Sequence, residues 1–521
     1  MAKALLFSFI NRFSTCDTKS IALAMLVVFG LSAYPNNSSS ENIELPTIGD
    51  AGLGVMSRSE EEVLGQAWLK AFRGGVRLYE DPIVHEYIEN LLYKLASHSE
   101  TGDKSLDVIV VDNNTINAFA VPGGVVGVHT GLISSAENEA QLASVLAHEL
   151  AHLYQRHFAR GIDASRGSNW VTLLGTLTGI AIAVSGGSSD AALAAIVSGQ
   201  AAAIDNQLSY SRLHEREADR LGMQTLVQAG YSAQGAAQMF QVMQARSRSF
   251  GREIPEFLLT HPVTQSRISD ARLRERQIAR EHEKENRILP KQMDSIDFQL
   301  VKARISVKNS ETAKDAINQF AYQLKKAGKS KDSINTPSTE VIRYGLALSY
   351  MHDNQYKAAR EQLAPLLNQV PGRILYSLLD IEIDITAGKT EQAERRLRDL
   401  YALNPSNYSI GMRLADLLME RNKATDAAIV LANLSRRWPK QSSIWYHLAE
   451  AQGKANDIFN LHRARAEFFY LNGRYRESLQ QLQQASRYAK NDVKATASLR
   501  QRVKEINSVR KKEQELGITL N

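Results

Sequence analysis

His148-Glu149-Leu150-Ala151-His152 is the stretch on which the reading of this chain turns. Two histidines four residues apart return to one face of a helix. Both imidazoles can then reach one Zn²⁺, and the glutamate between them can deprotonate a water at the metal's open position. Ser134 and Glu137 predict a capping box for a helix running from about 135 to 160, with Leu142, Val145, Leu146, Leu150 and Leu153 as its apolar stripe. The competing reading is a pair of histidines satisfied within a core helix.

A catalytic zinc needs a third protein ligand and an open position for water. Candidates crowd into Tyr210-Ser-Arg-Leu-His-Glu-Arg-Glu-Ala-Asp-Arg-Leu-Gly222: His214, Glu215, Glu217 and Asp219. Glu215 and Asp219 share a helix face, whereas Glu217 points away from both. One of the two carboxylates can bind the metal while the other holds a ligand histidine's second nitrogen. His157, nine residues after His148, falls half a turn round the same expected helix and reads as surface or core.

Leu106-Asp-Val-Ile-Val-Val-Asp112 reads as a strand, and Val125-Val-Gly-Val-His129 as a second one just ahead of the histidine helix. Pro122 and the glycine pair after it argue for an edge strand or a bulge, not a central strand. Along such an edge, at Asn117, Ala118 and Phe119, an extended peptide can add as a further strand. Amphipathic helices are expected over Glu60–Ala71 and Pro82–Ala96. Residues 170–204 carry one charge, Asp190, and are broken by Ser185-Gly-Gly-Ser-Ser189. Neither half can span a bilayer; the reading is a small-residue helical hairpin, either a mobile lid or a buried structural element.

The second half repeats. Pro371, Pro405 and Pro439 are 34 apart, as are Ala359, Ala393 and Ala427, and Leu363, Leu397 and Leu431. That is the tetratricopeptide period, with small Ala where paired helices approach and Pro where the second one stops. Tyr475-Arg-Glu-Ser478 resembles Tyr356-Lys-Ala-Ala359 but falls 51 residues after Ala427, so an extra or irregular helix is expected around 457–471. The predicted fold is mainly α: a zincin-like metalloprotease domain with a small β-sheet over 41–290, a linker and connecting helix over 291–339, and an α-solenoid of tetratricopeptide repeats over 340–521.

At 521 residues, 44% apolar and 23% charged, the chain has room for two or three packed domains. Its net charge of +6 is uneven, because Leu461–Asn521 holds 13 Lys/Arg against 6 Asp/Glu. Such a tail suits acidic protein or membrane headgroups; the plainer reading is a solvated helical face. No aromatic-interleaved basic motif points to nucleic acid. Lys3, Arg12 and Lys19 precede the apolar run Ile21–Ala33, which reads as an export signal over 1–33, with an uncleaved anchor as the alternative. The single cysteine, Cys16, would leave with that signal, so disulfides and Cys-liganded zinc are excluded and a secreted or periplasmic location follows.

Taken together, His148–His152, Glu215-Arg-Glu-Ala-Asp219 and Asn117-Ala-Phe-Ala-Val-Pro-Gly-Gly124 resemble the HtpX-like and CAAX-prenyl-protease family of zinc metallopeptidases. The repeats and the lack of long spans resemble its periplasmic branch. The resemblance implies one Zn²⁺ per chain, held by His148, His152 and Glu215, with Asp219 supporting a ligand and Glu149 as general base. It also implies that His261, in Thr260-His-Pro-Val-Thr-Gln-Ser-Arg267, takes the open metal position and gates the enzyme. The expected task is quality control and assembly of outer-membrane β-barrel proteins. Stalled or misfolded outer-membrane proteins would be the substrates, and the repeats would contact the assembly machinery, with at most peripheral membrane contact and no nucleic acid. Lacking the membrane members' spans, this chain is a poor match for prenylated substrates. Two alternatives are a non-enzymatic tetratricopeptide scaffold or chaperone with a masked zinc site, and an intramembrane protease built around 170–204.

Overall fold

Ser57 opens the first described helix, α1 (Arg58–Gly75): its hydroxyl accepts from the Glu60 N–H while the Glu60 carboxylate accepts from the Ser57 N–H. Our computed structural model describes residues 56–99, 105–164, 201–249, 257, 261–285, 288, 295–327 and 338–518. The expected signal over 1–33 and residues 170–200 of the apolar stretch lie outside them. Asp81 caps α2 (Pro82–Ser97), whose proline sits in the first turn, where no intrahelical N–H is required. Three strands follow: β1 (Asp107–Val111), β2 (Ala118–Val121) and β3 (Val125–His129).

The sheet order is β1-β3-β2, with β1 parallel and β2 antiparallel to β3. The expectation that Val125–His129 is an edge strand is therefore wrong; it is the central one. Pro122, Gly123 and Gly124 occupy the turn ahead of it, where the glycines take φ of +80° and +88° and cost the ladder nothing. The outer side of β1 is closed by Tyr79, whose N–H bonds to the Val110 carbonyl. The edge belongs to β2.

The short helix α3 (Thr130–Ser135) precedes the histidine helix, α4 (Glu139–Tyr154). The capping box expected from Ser134 and Glu137 does not form. Ser134 ends the earlier helix, bonding back to the Thr130 carbonyl at 2.9 Å, and Asn138 caps α4 by accepting from the Gln141 N–H at 3.0 Å. Nor does α4 continue to 160. Arg156 adopts φ +52° and redirects the chain into α5 (His157–Ala164), so His157 stands on a different helix from His148. α6 (Ala201–Gln228) and α7 (Gln234–Ser249) pack against α4, whose Leu142, Val145, Leu146 and Leu150 are buried. Contact between α6 and α4 is closest at Gly222, where a Cβ would lie 3.0 Å from the His148 backbone. α8 (Gln265–Lys284), capped by Thr264, completes this half; Pro262 lies ahead of the helix and does not start it.

Two helices, α9 (Ile296–Lys308) and α10 (Ala313–Ala327), occupy the stretch expected to be linker and connecting helix, and both pack on the first repeat helix. The repeats then run as α11 (Thr339–His352), α12 (Tyr356–Gln369), α13 (Ile374–Thr386), α14 (Thr390–Leu403), α15 (Tyr408–Glu420), α16 (Ala424–Arg437), α17 (Ser442–Lys454), α18 (Ile458–Leu471), α19 (Tyr475–Tyr488) and α20 (Val493–Glu515). Ala359, Ala393 and Ala427 are fully buried where helices meet. Within each hairpin the turn residue is left-handed: Asn354, Gly388, Asn422 and Asn456, again 34 apart. The next residue's N–H closes each helix, as in Lys423 N to Leu418 O at 2.8 Å. Gly473 repeats this turn only 17 residues after Asn456. Helix α18 is thus flanked by the same turn on both sides, which accounts for the 51-residue spacing.

The repeats close onto the half that carries the sheet and the histidine helix. The Glu86 carboxylate receives the Tyr408 and Ser409 N–H groups at the start of α15, at 3.3 and 3.2 Å, where a negative charge is favoured. Trp438 donates to Glu89 at 3.1 Å and Lys440 pairs with Asp107 at 2.8 Å. At the far end, Lys70 of α1 donates to Tyr475 at 2.8 Å and to Glu513 of α20 at 3.1 Å, all three buried.

Candidate metal centre

Helix α4 brings His148, Glu149 and His152 to the edge of the core, α6 brings Glu215 and Asp219 to face them, and the segment before α8 adds His261. One ligand atom each from His148, His152, Glu215 and His261 lies within 4.8 Å of all the others. The two Nε2 atoms of His148 and His152 are 3.0 Å apart. Glu215 sits 3.3 Å from the His152 Nε2 and 3.5 Å from the His148 Nε2. His261 Nδ1 lies 2.8 Å from Glu215 and 3.5 Å from the His148 Nε2.

The outer bonds decide which nitrogens carry protons. His148 Nδ1 lies 3.0 Å from Asp219 Oδ1, which turns its Nε2 inward. On the opposite side, Glu217 accepts from His157 Nε2 at 3.2 Å and from Arg160 at 2.9 Å. His157 Nδ1 is then an acceptor for His152 Nδ1, 2.8 Å away, and the His152 Nε2 lone pair also turns inward. Two ring nitrogens and a carboxylate oxygen converging on one point form a donor set that a metal ion can occupy, displacing any proton held on an Nε2. Tetrahedral zinc with nitrogen ligands at ~2.0–2.1 Å places them about 3.3 Å apart; the observed 3.0, 3.3 and 3.5 Å fit that ion.

Burial pushes the Glu149 carboxyl up, against the opposing pull of His261 and His148. One of its oxygens has no hydrogen-bond partner among the described residues and lies 3.6 Å from His261 Nε2. The carboxylate also accepts from the Ala120 N–H, tying it to β2. Burial would likewise raise Glu215, but His261 first, with the close His148 and His152 rings, holds it well below the usual carboxylate range. His148 is carried up to about 9 despite its burial, because Asp219 and Glu215 favour its charged form. His152 is driven well below the ordinary value, chiefly by burial.

Arg267, absent from the sequence reading as a site residue, reaches in from α8. It bonds Asp219 through two nitrogens at 2.7 Å each and pairs with Glu215 at 2.8 Å, stacked on the Phe240 ring. Its signal was the Ser266-Arg267 end of the segment around His261, but its partner Asp219 lies 48 residues upstream and Glu215 further still. The Glu217–His157 link was also missed: Glu217 does point away from Glu215 and Asp219, and what it meets there is the outer nitrogen of His157. His214 is not among the converging groups; it stacks on His157 at 4.1 Å. Of the edge residues, Asn117 accepts from the His129 N–H through its carbonyl, Ala118 starts β2, and the Phe119 ring packs edge-on against Trp68 and Phe72.

Residues 82–275 match the model of peptidase family M48, and residues 384–451 match a tetratricopeptide repeat. The chain is 32% identical over 451 residues to the beta-barrel assembly-enhancing protease of Escherichia coli (strain K12), covering 86% of this chain and 88% of the relative. It is 29% identical to the putative beta-barrel assembly-enhancing protease of Vibrio cholerae, covering 87% and 90%. The mitochondrial metalloendopeptidase OMA1 of Schizosaccharomyces pombe is 30% identical over 186 residues, 35% of this chain and half of its own. With an M48 domain, tetratricopeptide repeats, four side chains placed to hold a metal ion and a relative 32% identical over 86% of its length, the chain belongs to the family of beta-barrel assembly-enhancing proteases and is a metalloendopeptidase.

Proposed function

We propose that this chain is an exported, periplasmic zinc endopeptidase that removes stalled outer-membrane β-barrel proteins and, through its repeats, assists those still assembling. The convergence of two inward Nε2 atoms and a carboxylate beside the buried Glu149 carries the chemical part. The relatives' names support the client class, and the apolar run Ile21–Ala33 supports export. No helix among the described residues is long and apolar enough to cross a membrane.

In this reading His148, His152 and Glu215 hold the Zn²⁺, and Asp219 and His157 fix the ring orientations. Zinc bound there would lower the pKa of a water towards ~7. Glu149, its proton affinity raised by burial, takes the water's proton and returns it to the leaving amine. In an antiparallel pair alternate residues bond to the partner strand, so Asn117, Phe119 and Val121 face β3 while Ala118 and Ala120 face outward. An extended substrate added there would run past Glu149, which already receives the Ala120 N–H. His261 stands across the front of the ligand set and acts as the gate, giving way when substrate enters.

Zinc analysis paired with casein cleavage tests this. Glu149→Gln should retain zinc at the wild-type level and lose cleavage by about 10³–10⁴-fold, whereas His148→Arg should lose the metal. Casein cleavage by Glu149→Gln at the wild-type rate would overturn the general-base assignment.

A further inference from the structure

Among the exposed cations of this chain, one group surrounds an apolar trough. Helices α19 and α20 diverge at the end of the solenoid and leave a groove of about 1470 Å³ between them. Its floor is Leu482 and Leu499, both buried, with Leu479, Val503 and Ile518 half-buried beside them. Its rim carries Arg476, Lys490, Arg500, Lys504 and Arg510, every one exposed and without a carboxylate within 4.0 Å among the described residues. Among the described residues the one acid lining the groove, Glu513, is turned inward and engaged by Lys70 and Tyr475. On α20, Leu499 and Val503 form one row and Arg500 and Lys504 a parallel one, so an apolar stripe and a cationic stripe run side by side.

We propose that this groove docks an acidic amphipathic segment of a protein partner, its apolar face laid between α19 and α20 and its carboxylates against the rim. The inference deepens the function proposed above, resting on the reading that the repeats hold proteins. Charge complementarity selects the occupant: unpaired cations on both walls repel a basic or neutral surface and steer an acidic one. Shape selects a segment over a membrane. The apolar residues lie at the bottom of a trough with charged walls, so a flat bilayer would meet the charges and leave the floor uncovered. A helix entering the groove covers both, in the manner of helix-in-groove recognition.

The test uses the full chain and a fluorescent synthetic helix of about five turns, with leucines on one face flanked by glutamates. Anisotropy should show saturable binding that weakens as salt rises. The double variant Arg500→Glu/Lys504→Glu should weaken binding by about tenfold or more. The control Lys357→Glu/Arg395→Glu, equal in charge but elsewhere on the solenoid, should leave binding within about twofold. A peptide with glutamine in place of glutamate should lose affinity by the same order. Wild-type affinity in the groove variant would overturn the proposal. So would a groove-dependent loss seen with phosphatidylglycerol vesicles but not with the peptide, which would assign the surface to lipid. Casein cleavage, measured alongside, should be unchanged in the groove variant, so failure of the groove and failure of the peptidase are read separately.

Discussion

The catalytic half and the solenoid hold together by opposite means. Around the metal centre, His148, Glu149, Glu215 and Arg267 are buried in contact with one another, and each charge is tolerated only because its neighbours stay in place. In the solenoid the buried positions are Ala359, Leu363, Ala393, Leu397, Ala427 and Leu431, apolar and repeated, each replaceable in kind. The site region trades stability for a fixed arrangement of charge, whereas the repeats gain stability from a pattern that carries no chemistry.

Arg267→Ala should break this contrast most sharply. It strands Glu215 and Asp219 and should cost about 3–5 kcal/mol in the metal-free protein, with part recovered when zinc is added; a melting curve with and without zinc reads both. Leu431→Ala should cost a comparable ~2–5 kcal/mol yet leave zinc content and the zinc-induced shift unchanged. If both variants respond alike to zinc, the division between halves fails. His157→Phe removes the acceptor for His152 while keeping a ring in place, and should weaken zinc binding by about 10–100-fold, measured by competition with a chelator.

Acid sharpens the boundary between the halves. His85 on α2 is half-buried against the repeats, accepting from the Gln441 side chain at 2.6 Å, and loss of solvent there pushes its pKa down to about 4. In the unfolded chain the same group charges near ~6.5. Its contribution is therefore complete above the unfolded value and is lost as pH falls from there towards about 4. His85→Gln should flatten stability over that window, as followed by denaturant midpoints; an unchanged slope would contradict it. The smallest effect is local: Asn422→Ala, at φ +58°, should cost ~1–2 kcal/mol, whereas Asn422→Gly should be nearly neutral.

The repeats were legible because a 34-residue period shows itself in sequence without any knowledge of distance. His148, Glu149 and His152 were legible because four residues on a helix is a distance. The choice between Glu215 and Asp219 was not. Helical phase puts Glu215 and Asp219 on one face but does not tell which reaches the metal and which reaches the ring; that depends on how closely α6 approaches, which Gly222 permits. His157 lies in the core, one of the two places expected, but on another helix for one backbone reason: a left-handed Arg156 ends the first, and arginine carries no sign of it. The same holds for β3, where Pro122 and two glycines mark the turn before a central strand as readily as an edge. Arg267 stayed hidden because its partners lie far back along the chain.

The buried bond from Lys70 through Tyr475 to Glu513 joins the first described helix to the last. Over 400 residues separate these partners, so the contact forms late, after a long loop has closed. Until α20 arrives, the opening helix of the protease holds an ammonium group with no counter-charge in a place meant to be dry. A chain threaded through a membrane from its leading end would thus keep its cutting half unfinished until its trailing end had crossed.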